Sequence, residues 1–238
     1  MQLYWTKINK IIDETSEVKT FLLDLPEGFT WEEGAHTHMG LKGFNAGEKP
    51  NKGLVRHMSI STLPSEKTVG ITTRIKDQCS EFKAILKNMS VGDEVALFKI
   101  HSNVPLKREN KNLYLLSSGV GIATFRPIVK TYLENQDNVK SVHALNIDSS
   151  NDFLFTDIFT SDTEKNFTTQ YVDSRAAYYA EAEKLAEDSE GIFYVIGSDE
   201  FIMQTIELLN KHDVKREQIV LDKRERFMEK FFSPSVTV

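Results

Sequence analysis

Along the first hundred residues, apolar and polar positions alternate in short runs broken by turns. Leu3–Ile12, Val18–Leu25, Ala35–Leu41, Leu54–Thr62, Thr68–Ile75 and Glu94–Phe98 each read as a strand. Pieces such as Pro26-Glu27-Gly28 and Asn45–Asn51 read as the turns between them. Short strands at near-regular spacing predict an antiparallel, Greek-key β-barrel. One helix interrupts them: Phe82, Ile85, Leu86 and Met89 recur at i, i+3, i+4 and i+7, with Ser80 placed to cap the start.

From Leu113 the pattern changes. Strand-like runs at Leu113–Ser117, Ser141–Ile147, Phe167–Val172, Ile192–Gly197 and Gln218–Leu221 alternate with helical stripes. Phe125, Ile128, Val129, Tyr132 and Leu133 form one stripe. Phe201, Ile202, Ile206 and Leu209 form part of another, and Ala176–Glu187 is an alanine-rich helix. Alternating strands and helices predict an α/β domain with a five-stranded, parallel, doubly wound sheet. Two domains are therefore expected, a β-barrel over residues 1–108 and an α/β domain over 109–238. The polar run Lys107–Asn112 lies at their junction.

Bulk properties narrow the field. A chain of 238 residues accommodates two modest domains. The net charge of −6, with dispersed basic residues, gives no footprint for nucleic acid. Even the densest basic group, Lys223-Arg224-Arg226, is interrupted by Glu225. No apolar stretch is long enough to cross a bilayer, and Met1–Lys7 lacks the layout of a secretion signal. Cys79 is the single cysteine, which excludes a disulfide framework and thiolate-held zinc or iron–sulfur clusters. A cytoplasmic location is expected. Any one-electron relay must then sit on another molecule.

Two segments carry candidate chemistry. Ser117-Ser118-Gly119-Val120-Gly121-Ile122-Ala123 follows the apolar run Leu113–Leu116. A buried strand running through a glycine turn into a helix is a ready phosphate site, because backbone N–H groups and the helix dipole face the anion. Upstream, Arg56-His57-Met58-Ser59 offers a cation and a hydroxyl, with Arg74 and the Cys79–Ser80 amides as further anion partners. Either segment alone also fits a plain turn or a surface strand. Cys79 reads more simply as a small packed residue than as a nucleophile. His36, His38 and His57 have strand-like spacing, which argues against a metal site.

Taken in order, these segments resemble the ferredoxin–NADP reductase family over nearly the whole chain. Arg56-His57-Met58-Ser59 resembles its Arg-x-Tyr-Ser flavin motif, and Gly34-Ala35-His36 an earlier segment before a flavin-lining strand. Asp77-Gln78-Cys79-Ser80 resembles its Gly-x-x-Ser phosphate segment. Ser118–Pro127 resembles the Thr-Gly-x-Gly-Ile-x-Pro-x-Arg element that takes the nicotinamide cofactor's pyrophosphate. Tyr194-Val195-Ile196-Gly197-Ser198 resembles Tyr-x-Cys-Gly-Pro beside the nicotinamide. Three residues depart from the pattern: Met58 for the ring-flanking aromatic, Asp77 for glycine and Ile196 for cysteine.

The resemblance implies FAD rather than FMN as bound cofactor and NADPH or NADH as electron donor. Hydride would pass from the nicotinamide to the flavin, and electrons then to a separate acceptor such as a ferredoxin or flavodoxin, a ferric chelate, a quinone or a free flavin. Ser59 would hydrogen-bond the flavin ring. Arg56, His57, Met58, Arg74, Cys79 and Ser80 would line the flavin site. Ser118, Gly119, Gly121, Ile122, Ala123 and Gly197 would take the nicotinamide dinucleotide. Ser174 and Arg175, followed by Tyr178 and Tyr179, would hold a 2′-phosphate, although Asp173-Ser174 equally reads as a helix cap. Phe231 or Phe232 would shield the flavin or pack the C-terminal segment against the barrel. The departures leave a second reading, a nucleotide-binding subunit without turnover that serves assembly or sensing.

Overall fold

The computed structural model describes residues 2–160, 166–223 and 227–232. The chain divides into two compact units, Met1–Pro105 and Leu106–Val238.

The first unit holds six antiparallel strands: β1 (Tyr4–Asp13), β2 (Val18–Asp24), β3 (Ala35–Leu41), β4 (Val55–Ser59), β5 (Thr68–Arg74) and β6 (Glu94–Ser102). Their order is β4-β3-β6-β1-β2-β5. The run leaving β4 closes this sheet into a barrel. Ser61 N–H donates to Gly70 O at 2.8 Å, and Gly70 N–H donates to Thr62 Oγ1 at 2.8 Å. Closure explains why the expected strand Leu54–Thr62 shortens to β4: Ile60 N–H still donates to Ala35 O at 2.8 Å, and from Ser61 the chain leaves β3 to meet β5. The Greek-key barrel expected from the alternating pattern is thus the fold found.

Inward side chains of this barrel, including Phe21, Met39, Met58, Ile60, Ile71 and Leu97, form one core. Helix α1 (Glu81–Lys87) adds Phe82 and Leu86 to it. The predicted four-residue stripe is narrower than its spacing suggests, because Ile85 is 40% exposed. Seven residues make less than two turns, too short to bury a full stripe. The Ser80 side chain makes no capping bond. Its backbone carbonyl accepts from Ala84 N–H at 2.9 Å instead.

In the second unit β7 (Lys111–Ser118), β8 (Val139–Ile147), β9 (Phe167–Val172), β10 (Ile192–Ile196) and β11 (Ile219–Leu221) are all parallel, in the order β11-β10-β7-β8-β9. The crossovers use α2 (Ile122–Glu134), a single turn α3 (Thr156–Phe159), α4 (Arg175–Ala186) and α5 (Asp199–Lys211); α6 (Glu229–Phe232) follows β11. Every residue of β10 is buried, the continuous apolar run that a strand covered on both faces requires. The polar run at the expected junction is tied into this unit. Lys107 N–H donates to the Tyr194 hydroxyl at 2.8 Å, and Arg108 donates to the carbonyls of Asp137 and Asn135 at 2.6 and 2.9 Å.

The strand order places β7 beside β10, and their C-terminal ends are in register at Ser117 and Ile196. This is the point where the winding direction reverses, the usual ligand crevice of an open α/β sheet.

Candidate functional site

In the barrel unit, positive charge collects where β4, β5 and α1 approach one another. The Arg56 guanidinium lies 5.4 Å from the centre of the Phe82 ring. Its Nη1 donates to the carbonyls of Val55, Gly53 and Lys52 at 2.8, 3.2 and 3.3 Å. The next helical residue, Lys83, donates from Nζ to the Arg74 carbonyl at 2.6 Å. Burial holds the Lys83 ammonium below the ordinary lysine value. The Arg56 and Arg74 charges push the same way, and Cys79 opposes them. Arg74 Nε lies 3.9 Å from Glu17. Three cations on three elements therefore share one region beside Cys79. Lys83 escaped the sequence reading because a lysine on a short helix looks like an ordinary solvated side chain.

The other predicted flavin-site residues take distinct positions. Met58 is only 9% exposed and packs into the barrel core, which leaves little of it to flank a ring. His57 is exposed, and its ring centre lies 3.8 Å from that of His36 and 5.6 Å from that of His38. Ser59 is half-buried opposite His36. Cys79 is half-buried and Ser80 exposed. Asp77 points outward to Lys87 Nζ at 3.1 Å, so its carboxylate is directed to solvent. Among the described residues, no group of three or more His, Cys, Asp or Glu is placed to hold a metal.

In the α/β unit the candidate site is built from backbone. Gly119 sits at φ +55°, in the left-handed region that favours glycine. It turns β7 into a short 3-10 segment, Gly119–Gly121, that runs directly into α2. Gly121 faces the end of β10: a Cβ there would lie 2.8 Å from the Ile196 carbonyl oxygen. Ile122 N–H closes the turn onto the Gly119 and Val120 carbonyls. The Ile122 and Ala123 side chains are buried, so only their backbones can face a ligand. Ser118 is half-buried at the turn's entrance, and Gly197 is half-buried just before Ser198, which caps α5 by accepting from Phe201 N–H at 3.2 Å.

A residue missed by sequence supports this turn. Asn146 on β8 is 1% exposed, and its Nδ2 donates to Ser117 Oγ at 2.8 Å and to the Ser117 and Gly119 carbonyls at 3.3 Å each. The signal available was one amide inside an otherwise apolar strand, Ala144-Leu145-Asn146-Ile147.

Ser174 caps α4, accepting from Ala177 N–H at 3.4 Å. Arg175 is exposed and pairs with Glu200 at 3.1 Å. Tyr178 is buried, bonded to Thr205 at 3.2 Å, whereas the half-buried Tyr179 donates to Gln204 at 2.6 Å. Phe231 and Phe232 differ from both expectations. Phe231 is 3% exposed in the core of the α/β unit, and Phe232 packs against the same cluster. Lys223 and Lys230 lie 5.4 and 4.8 Å from the Phe231 ring centre and donate to Asp199 at 2.8 and 2.5 Å. These two hydrogen bonds hold the Asp199 carboxyl below the usual carboxylate range. Arg224 and Arg226, and the chain beyond Phe232, lie outside the described residues.

No protein-family model and no curated protein matches this chain. Solved structures do. A ferredoxin NADP+ reductase from Neisseria gonorrhoeae, with bound FAD and NADP, is 18% identical, with 93% of this chain and 98% of that one covered at a TM-score of 0.76. The CS-b5R domains of human Ncb5or, in an NAD+ form, are 17% identical over 94% of this chain and 70% of that one, at a TM-score of 0.76. A ferredoxin–NADP+ reductase from Plasmodium falciparum with 2′P-AMP is 15% identical over 92% and 95%, at 0.74. The fold of this chain is therefore that of the ferredoxin–NADP+ reductases.

Proposed function

We propose that this chain is an NAD(P)H-dependent flavoprotein reductase that takes hydride from a nicotinamide onto bound FAD and passes electrons to a separate acceptor. One observation carries the reading: within a reductase fold, the barrel unit gathers three cations and the α/β unit ends β7 in a close-packed glycine turn. The diphosphate of FAD is a dianion, and Arg56, Arg74 and Lys83 supply the charge and donors it needs. The glycine turn at the reversal point of the sheet suits the nicotinamide cofactor's diphosphate.

The flavin, when bound, supplies the hydride-accepting ring. The protein's tasks are to bind, orient and exclude water, since hydride transfer needs positioning rather than a general base. Ser59 is assigned the hydrogen bond to the ring, and His57 with the edge of Met58 its flank. Cys79 and Ser80 add backbone donors to the flavin diphosphate. Ser118, Gly119, Gly121, Ile122, Ala123 and Gly197 form the nicotinamide side. Ser174 and Arg175 favour NADPH over NADH, with Arg175 exchanging Glu200 for a 2′-phosphate. The acceptor is a ferredoxin or flavodoxin, a ferric chelate, a quinone or a free flavin. The single cysteine suits a reducing, cytoplasmic setting.

The test is an anaerobic titration of the purified protein supplied with FAD. Retained yellow flavin that bleaches with NADPH, and faster than with NADH, is the expected result. Retained flavin that never bleaches would instead mark a binding subunit without turnover. Failure to retain FAD or FMN would overturn the reading.

A further inference from the structure

We infer that Asn146 is a positioning residue for the nicotinamide-dinucleotide anchor, holding the carbonyls of the strand-to-helix turn away from the incoming diphosphate. This rests on the reading above, in which the Gly119–Gly121 turn takes that group. Asn146 lies opposite Ser117 in the β7–β8 register, two residues before the turn begins. Its side-chain amide has two hydrogens and reaches three acceptors: Ser117 Oγ at 2.8 Å, and the Ser117 and Gly119 carbonyl oxygens at 3.3 Å. Two hydrogens therefore serve three acceptors, with the hydroxyl the nearest.

Packing alone does not call for an amide here. Ala144, Leu145 and Ile147 beside it are buried and apolar, and an aliphatic side chain in its place would carry no polar group of its own to satisfy. What the amide adds is direction. A carbonyl oxygen turned towards a diphosphate would repel it, whereas a carbonyl bonded to Asn146 is held towards β8. Accepting a hydrogen bond also polarises each peptide unit, so the N–H groups of Ser118 and Val120 become stronger donors. Gly119 O accepts from Ile122 N–H as well, so the Gly119–Val120 peptide is fixed from two sides.

Two substitutions separate this role from packing. Asn146→Leu removes the donor while keeping the branching of the side chain, at a somewhat larger volume. Asn146→Asp keeps the shape but presents an acceptor to two carbonyl oxygens until the introduced carboxyl is protonated. Calorimetry would measure NADP+ affinity on the flavin-loaded protein from pH 5 to 8, alongside flavin content, melting temperature, KM and kcat. Both variants are expected to bind NADP+ about tenfold more weakly at pH 8, the loss expected of one hydrogen bond. KM should rise, with kcat and flavin content unchanged. Affinity should recover towards pH 5 in Asn146→Asp, where the protonated carboxyl donates again, and stay low in Asn146→Leu. Should Asn146→Asp not fold, the split between KM and kcat in Asn146→Leu decides. Wild-type affinity in these variants, or a loss in Asn146→Asp that persists at pH 5, overturns the inference. If Gly121→Val also leaves NADP+ binding intact, it is the reading of the turn that fails.

Discussion

In the function proposed above, the barrel unit and the α/β unit would each hold an anion, and they would do so with different parts. In the barrel, charge is carried on long side chains: Arg56 resting against Phe82, Arg74 at the end of β5, and Lys83 tied to the Arg74 carbonyl. In the α/β unit no side-chain cation is needed at the turn. Gly119 takes a left-handed conformation, Gly121 allows close approach to β10, and Asn146 fixes the carbonyls. Charge on side chains is sensitive to salt and pH; backbone geometry is sensitive to volume. The two anchors should therefore fail under different insults.

The largest effect is expected from volume. Gly121→Val places a Cβ only 2.8 Å from the Ile196 carbonyl oxygen, inside normal contact distance, and backbone cannot move aside cheaply. NADP+ affinity measured by calorimetry should fall by about 100-fold, with flavin content unchanged. Equal losses of flavin and NADP+ would break the distinction between the anchors.

Charge removal comes next. Arg56→Ala should weaken FAD binding by about tenfold to 100-fold, the range for lost hydrogen bonds to a charged group. Because Arg56 also bonds three carbonyls near β4, melting temperature should drop as well. Raising salt should weaken FAD binding to wild type more steeply than NADP+ binding.

A smaller, pH-dependent effect isolates Lys83. Burial lowers its pKa, so the free protein loses this charge at a lower pH than an ordinary lysine would. Binding a dianion favours the charged form. FAD affinity should accordingly decline several-fold as pH rises through the lowered Lys83 value. Lys83→Met should abolish that limb, and an identical alkaline profile in the variant would remove Lys83 from the anchor.

The smallest effect tests whether charge in the α/β unit is structural. Asp199→Asn loses its pairing with Lys223 and Lys230 at a half-exposed, solvent-screened site, so thermal unfolding should show a cost of no more than about 1 kcal/mol. Because the folded carboxyl titrates below its ordinary range, this contribution is present at neutral pH and fades as pH falls through that depressed value. Neither dinucleotide affinity should change.

Legibility in the sequence followed the same division. Strand and helix periodicity located every strand, including β3 and β9 to the residue, because burial on one or both faces leaves a pattern in the chain. The glycine turn was legible because glycine is favoured where the backbone turns left-handed, as at Gly119, and where two backbones come close, as at Gly121. Lys83 and Asn146 were not, since their importance comes from partners 9 to 29 residues away. Ile85 misled because its spacing matched a stripe that the short helix does not complete. Phe231 and Phe232 misled through their position near the chain's end. An aromatic pair there fits a ring shield or a core plug equally, and only their burial with β10 and α5 residues separates the two.

The central claim is that two chemically different anchors hold two dinucleotides, one on each unit. Crystals soaked with FAD and NADP+ test it most directly. One diphosphate should be bonded by Arg56, Arg74 and Lys83, and the other should sit on the Gly119–Gly121 turn with the Asn146 bonds intact. A flavin diphosphate away from those three cations, or a nicotinamide dinucleotide that leaves the turn empty, would contradict it.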